Sequence, residues 1–208
     1  KIRSAAKTTG RRVAIMADLP GPKIRIGEFA KEPIELKPGD IFTLTTEEIE
    51  GTRETVSVTF KGLPQAVAPG DRLFLNDGLV QLKVLEVTGN EVRNEVLVGG
   101  RLRSRKGLNL PGIDLGIRAF TEHDRRCLEF ALENGVDAVS QSFVENAADV
   151  TAVRQAAADS GHNPFIIAKI ERSRALDNIS EIYEAADGIM VARGDLGVEI
   201  PIEQIAII

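Results

Sequence analysis

Phe165-Ile-Ile-Ala-Lys-Ile170 and Gly188-Ile-Met-Val191 are short apolar runs suited to buried strands, with a helical stretch around 178–185 between them. The same alternation begins upstream. Thr121 is a natural N-cap for a helix through Leu132, closed by Asn134-Gly135, and a strand Ala138-Val-Ser-Gln141 and a helix over 146–159 follow. At the start of the chain a helix over 2–9 ends at Gly10, and Arg12-Val-Ala-Ile-Met-Ala17 supplies another apolar run. Strands separated by helices imply a parallel sheet, because parallel neighbours need long crossovers. A doubly wound sheet and a (β/α) barrel both satisfy this pattern. The count stops near four strands, whereas a closed barrel needs eight and roughly 250 residues. The expectation is an incomplete sheet.

Between about 24 and 112 the texture changes. Ile41-Phe-Thr-Leu-Thr45, Thr55-Val-Ser-Val-Thr-Phe60, Arg72-Leu-Phe-Leu75 and Val80-Gln-Leu-Lys-Val-Leu85 are strand-like. Pro38-Gly-Asp40, Pro69-Gly-Asp71, Asn76-Asp-Gly78 and Thr88-Gly-Asn90 punctuate them as turns, at the spacing of a small all-β barrel. The expected organisation is residues 1–23 as the first part of one domain, 24–112 as an inserted β domain, and 113–208 as the truncated second part of the first.

The 208 residues, 43% of them hydrophobic, are enough to bury a sizeable core. A net charge of −5 leaves no surplus to neutralise a nucleic-acid backbone, so nucleic acid is not an expected partner. The single cysteine, Cys127, cannot form an internal disulfide and reads as a helical core position; a reducing, cytoplasmic setting is expected. No run approaches the ~20 apolar residues of a membrane span, and Lys1–Thr9 is no signal peptide. The chain lacks an initiating Met and ends on the apolar run Gln204-Ile-Ala-Ile-Ile208, so both ends read as cuts.

In parallel α/β sheets reactive groups gather where apolar strands turn polar at their carboxyl ends. Lys169 and Glu171 stand two apart at such a place, which puts both side chains on one face. Asp195 lies just beyond the next strand, after Ala192-Arg193-Gly194. Two carboxylates on neighbouring strand ends suit Mg²⁺, which takes few protein oxygens and leaves room for substrate. Lys169 would then stabilise charge on a transferring phosphoryl group. Gly194, Asp195 and Gly197 form a glycine-bearing turn whose free N–H groups favour an anion. The ordinary readings are a solvated ion pair and simple turn punctuation.

What decides between them is the wording. Ile166-Ile-Ala-Lys-Ile-Glu171 followed by Ala186-Asp-Gly-Ile-Met-Val-Ala-Arg-Gly-Asp-Leu-Gly-Val-Glu-Ile-Pro201 resembles the active-site signature of pyruvate kinases. The likeness extends through Asp18-Leu-Pro-Gly-Pro-Lys-Ile-Arg25, Asn76-Asp-Gly-Leu79, Ser104-Arg-Lys-Gly-Leu-Asn-Leu-Pro111 and Asp137-Ala-Val-Ser-Gln-Ser-Phe143, practically the whole chain. The resemblance implies a partial TIM (β/α) barrel with an inserted small all-β barrel domain, and transfer of a phosphoryl group from phosphoenolpyruvate to ADP, giving pyruvate and ATP. It implies Lys169 at that group, Glu171 and Asp195 as Mg²⁺ or Mn²⁺ ligands, and the Gly194 and Asp195 amides at the substrate carboxylate. Ser142 and Phe143 would line the barrel mouth, Arg25 would bind substrate, and Lys106 would reach nucleotide phosphates. A homotetrameric full-length protein is implied as well.

The chain departs from the family in one segment that matters. The usual potassium-site wording Asp-Thr-Lys-Gly-Pro-Glu stands here as Asp18-Leu19-Pro20-Gly21-Pro22-Lys23. Pyruvate kinases with lysine at this place resemble a branch that does not require K⁺, so Lys23 is expected to act catalytically in the cation's stead. Arg172 replaces the Asn often found after the metal-ligating Glu. The proton donor is expected outside this chain, which is then expected to be inactive by itself. Two other readings stand beside this one: a metal-dependent lyase of phosphoenolpyruvate or a 2-oxo acid on a related barrel, and a non-catalytic binding fragment.

Overall fold

Gly10, at φ 67°, ends helix α1 (Ile2–Thr9) by turning its N–H back to the carbonyls of Ala6 and Lys7, a left-handed cap that glycine adopts without steric cost. Strand β1 follows at Met16–Leu19. The β-rich middle holds β2 (Ile34–Leu36), β3 (Ile41–Thr45), β4 (Thr55–Ser57), the short helix α2 (Leu63–Ala66), β5 (Arg72–Leu75), β6 (Val80–Thr88), β7 (Glu91–Val98), β8 (Gly100–Leu102) and β9 (Leu108–Asn109). Then come α3 (Glu122–Glu133), β10 (Ala138–Gln141), α4 (Ala147–Asp159), β11 (Phe165–Ile170), α5 (Ser173–Asp177), α6 (Ile179–Ala185), β12 (Gly188–Val191), α7 (Arg193–Glu199) and α8 (Ile202–Ile205). This computed structural model describes residues 1–205 and 207, so the closing run Gln204–Ile208 falls partly outside the described residues.

The chain forms two compact units, Lys1–Pro22 with Arg118–Ala192, and Lys23–Ile117 with Arg193–Ile208. In the first, β1, β10, β11 and β12 are parallel and adjacent in chain order. A doubly wound sheet reverses direction at a switch point, whereas this order never reverses, which is the winding of a barrel wall. Leu19, Val139, Ile166, Ala168 and Ile170 are buried on one face of the sheet with Leu128, Leu132, Val150, Val153 and Ile182 from the helices. Asp18, Ser140 and Lys169 alternate onto the other face.

Both long helices begin with reciprocal caps. Thr121 accepts from the Asp124 N–H while Asp124 accepts from the Thr121 N–H, and Asn146 and Asp149 repeat the device. The core stripe of α3 is Asp124, Leu128, Ala131 and Leu132. Cys127 falls at the edge of that stripe and is half-buried, 3.6 Å from His123, while Phe130 is 69% exposed; the reading of Cys127 as core is corrected accordingly. Strand β1 begins four residues later than the run Arg12–Ala17 suggested. The chain before it is fastened instead by Arg3 to the Val13 carbonyl and by Asp137 to the Ile15 N–H.

In the second unit a six-stranded sheet runs β4-β3-β7-β6-β5-β9. The segment 24–27 closes it. Gly27 N–H donates to Ser57 O at 2.8 Å and Thr59 N–H to Arg25 O at 2.9 Å on the β4 side, while Ile26 N–H donates to Lys106 O at 2.9 Å and Leu108 N–H to Ile24 O at 3.0 Å on the β9 side. A sheet bonded at both edges to one segment has no open edge, which is a small barrel. Phe42, Leu44, Leu73, Leu75 and Leu82 fill it. Asn76 and Asp77, at φ 53° and 58°, make the tight β5–β6 hairpin for which Asn-Asp-Gly is suited.

Candidate active site

Three adjacent strand ends of the first unit meet at Lys169. Its Nζ lies 2.9 Å from Glu171 Oε1, 2.9 Å from Ser142 Oγ and 3.2 Å from Asp18 Oδ2. The register explains the meeting: Asp18 of β1 lies opposite Ser140 of β10, and Gln141 opposite Ala168, so Ser142 falls beside Lys169. Ser140 Oγ donates to the other oxygen of Asp18 at 2.7 Å. Glu171 is 3% exposed, and its Oε2 accepts the Phe143 N–H at 3.0 Å. Burial works against the ammonium, but the bond and charge of Glu171 together with Asp18 outweigh it, so the Lys169 pKa is raised above its ordinary value.

The loop over this cluster is shaped by backbone. Phe143 has φ 60°, in the left-handed region, and Gly21, at φ 65°, leaves no room for a Cβ: one built there would lie 2.9 Å from Ser142 O and from Phe143 Cδ2. The Gly21 N–H is held at 2.9 Å by buried Asp124, which ties this loop to the start of α3.

Of the residues singled out in the sequence, the structure brings Lys169, Glu171 and Phe143 together in the first unit. Lys23, Arg25 and Lys106 belong to the second. Lys23 is exposed; Arg25 donates through Nη1 to the Arg105 carbonyl at 2.8 Å and bridges Gly107, and the Lys106 carbonyl accepts from Ile26, so Arg25 and Lys106 share the seam that closes the small barrel. Gly194 and Asp195 occupy the first turn of α7, Gly194 exposed and Asp195 half-buried. First-turn N–H groups have no intrahelical partner, the condition anion binding requires. Ser140 and the Ser142 contact with Lys169 were not foreseen, although their i, i+2 spacing with the register of β10 carried the signal.

Among the described residues no group of three or more His, Cys, Asp or Glu side chains is placed to hold a metal ion. Among the described residues, too, no helix is long and apolar enough to cross a membrane.

Parallel strands in chain order, crossover helices, and a lysine–carboxylate cluster at the strand ends define a (β/α)-barrel protein, here with an inserted β barrel. The chain belongs to the pyruvate kinase family, whose barrel-domain model matches residues 1–208. It is similar to the pyruvate kinase of Thermococcus litoralis, 48% identical over 206 residues that are 99% of this chain and 43% of that protein. The pyruvate kinase of Thermotoga maritima is 44% identical over 208 residues, 100% of this chain and 45% of the relative, and that of Corynebacterium glutamicum is 43% identical over 207. The chain thus spans less than half the length of these relatives.

Proposed function

We propose that the full-length protein transfers the phosphoryl group of phosphoenolpyruvate to ADP, giving pyruvate and ATP as a step of glycolysis in the cytoplasm. The observation that carries this reading is the Lys169–Glu171 pair, 2.9 Å apart at the end of β11, within a chain 48% identical to a pyruvate kinase. Residues 1–23 and 113–208 would form part of one barrel domain and 24–112 the inserted lid. A homotetramer is expected from the family likeness.

Lys169, kept charged, would face the equatorial oxygens of the transferring group and stabilise the charge that spreads over them. Arg25, Phe143 and the Gly194 and Asp195 amides would hold phosphoenolpyruvate, and Lys106 would reach nucleotide phosphates when the lid closes. Glu171 and Asp195 would be the ligands of Mg²⁺ or Mn²⁺. The donor chemistry fits, since two hard carboxylates are what such an ion takes from protein, and Glu171 keeps lone pairs beyond those used by Lys169 and Phe143. When bound there, such an ion would supply Lewis-acid charge against the negative charge that develops on the transferring group. Lys23 would supply fixed positive charge where the family resemblance places a potassium ion.

The test is pyruvate formation by the full-length protein, with and without Lys169→Met. An interaction made in the transition state lowers kcat and leaves the phosphoenolpyruvate KM nearly unchanged. A loss confined to KM, or no reaction in the unmodified protein, removes this reading.

A further inference from the structure

A lysine ammonium has three N–H donors on a flexible four-carbon stem. All three of those of Lys169 are engaged, and the partners come from three neighbouring strands: Asp18 on β1, Ser142 just past β10, and Glu171 just past β11. The carboxylates lie on the two outer strands and pull the charge from both sides. Ser142 stands between them and contributes no charge. A neutral acceptor placed between two charged ones adds direction rather than attraction.

Ser142 is well fixed for that task. It is 4% exposed, its N–H donates to Leu19 O at 3.1 Å, and its carbonyl accepts from Gln141 Nε2 at 3.0 Å. The next residue, Phe143, holds the far oxygen of Glu171. Consecutive residues after β10 therefore grip both members of the Lys169–Glu171 pair, one by side chain and one by backbone. On the β1 side Ser140 performs the matching service, fixing the oxygen of Asp18 that Lys169 does not use.

We propose that Ser142 is a positioning residue for Lys169, its hydroxyl fixing where the ammonium stands and which way its charge faces during phosphoryl transfer. This inference rests on the transfer reading given above. Without the hydroxyl the ammonium keeps both carboxylates, and so its charge, but can move along the line between them. Misplacement of a reacting group by about 1 Å can cost up to ~100-fold in rate, and it acts on the transition state more than on binding.

The experiment compares Ser142→Ala, Ser142→Thr, Lys169→Met and the double variant Ser142→Ala/Lys169→Met in the full-length protein, with kcat, phosphoenolpyruvate KM and melting temperature for each. Ser142→Ala should lower kcat about ten-fold with KM within about two-fold. Ser142→Thr, which keeps the hydroxyl, should recover most of that loss. The double variant should be no worse than Lys169→Met alone, because a residue acting through Lys169 has nothing left to position. If Ser142→Ala does not fold, Ser142→Cys, close in size with a weak acceptor, carries the same expectation. A kcat unchanged within about two-fold, a loss in KM alone, no recovery with threonine, or a further ten-fold loss on top of Lys169→Met would each overturn the proposal. If Lys169→Met itself keeps full kcat, the transfer reading fails first, and this inference with it.

Discussion

Phe143 donates its backbone N–H to Glu171 Oε2 at 3.0 Å from a left-handed backbone, φ 60°. A non-glycine residue in that region is uncommon and persists where surroundings over-determine it. Here Gly21 packs against the turn from one side and buried Glu171 draws the N–H from the other. Local strain is thus coupled to the placement of a buried carboxylate.

That coupling makes Gly21 a sensitive position. Alanine there must adopt φ 65°, which costs roughly 1–2 kcal/mol, and its Cβ would meet the Ser142 carbonyl at 2.9 Å, a backbone atom that cannot swing aside. Gly21→Ala is expected to lower the melting temperature by several degrees and, in the full-length protein, to lower kcat as Ser142 and Phe143 shift. An unchanged melting curve would show that the turn is looser than its contacts imply.

Strands β10, β11 and β12 were legible to the residue, because β11 and β12 are mostly apolar and all three are short runs bounded by turn or cap residues. Strand β1 was not. The apolar run before it is not strand: Val13 is 44% exposed, and its carbonyl is held by the Arg3 side chain, a bond that periodicity does not register. Helix α5, five residues directly preceding α6, was missed because so short a helix has no period to read. At the site, Lys169 and Glu171 could be paired from spacing alone, since both sit on one strand face. Asp18 and Ser142 come from other strands, and only the register β1–β10–β11 makes them neighbours. The Cys127 error has the same root: hydrophobic character was visible, but which helical face meets the sheet was not.

Asp137 offers a test by pH. It accepts the Ile15 N–H at 2.7 Å and pairs with Arg3 at 2.6 Å, and these, the backbone bond first, hold its carboxyl below its ordinary value of 3.8. A carboxylate depressed in the folded state contributes stability above its unfolded pKa and loses it as pH falls through the folded one. Asp137→Asn is therefore expected to lower the melting temperature near neutral pH and to flatten its decline in acid. Melting curves from about pH 7 to about pH 2 check this; parallel curves for the two proteins would rule out a stabilising role.

The proposed metal ligands differ in surroundings, Glu171 buried in the cluster and Asp195 half-buried on α7. If both bind the ion, Glu171→Ala and Asp195→Ala should each weaken Mn²⁺ binding by the full-length protein, read as the free-ion signal in electron paramagnetic resonance titration. Glu171→Ala should do more, since it also leaves Lys169 with one carboxylate partner instead of two. Unchanged Mn²⁺ affinity in both variants would dismiss the assignment.

Potassium gives the last prediction, from Leu19 and Lys23 standing where the family resemblance expects Thr and Glu. A monovalent ion would assist such a site by placing positive charge near the carboxylate and phosphate of the substrate. A tethered ammonium can supply a similar field without an ion having to bind, and at an effective dielectric of about 20 a unit charge 4 Å away is worth about 4 kcal/mol. Lys23 is exposed, so screening by solvent and salt reduces its effect below that figure. The unmodified full-length protein should accordingly be active in tetramethylammonium buffer and gain little from KCl. Lys23→Glu should depress activity in that buffer, with recovery on adding K⁺ that is incomplete because Leu19 offers no hydroxyl oxygen to the ion. Many-fold activation of the unmodified protein by K⁺ would return Lys23 to the status of an ordinary surface lysine.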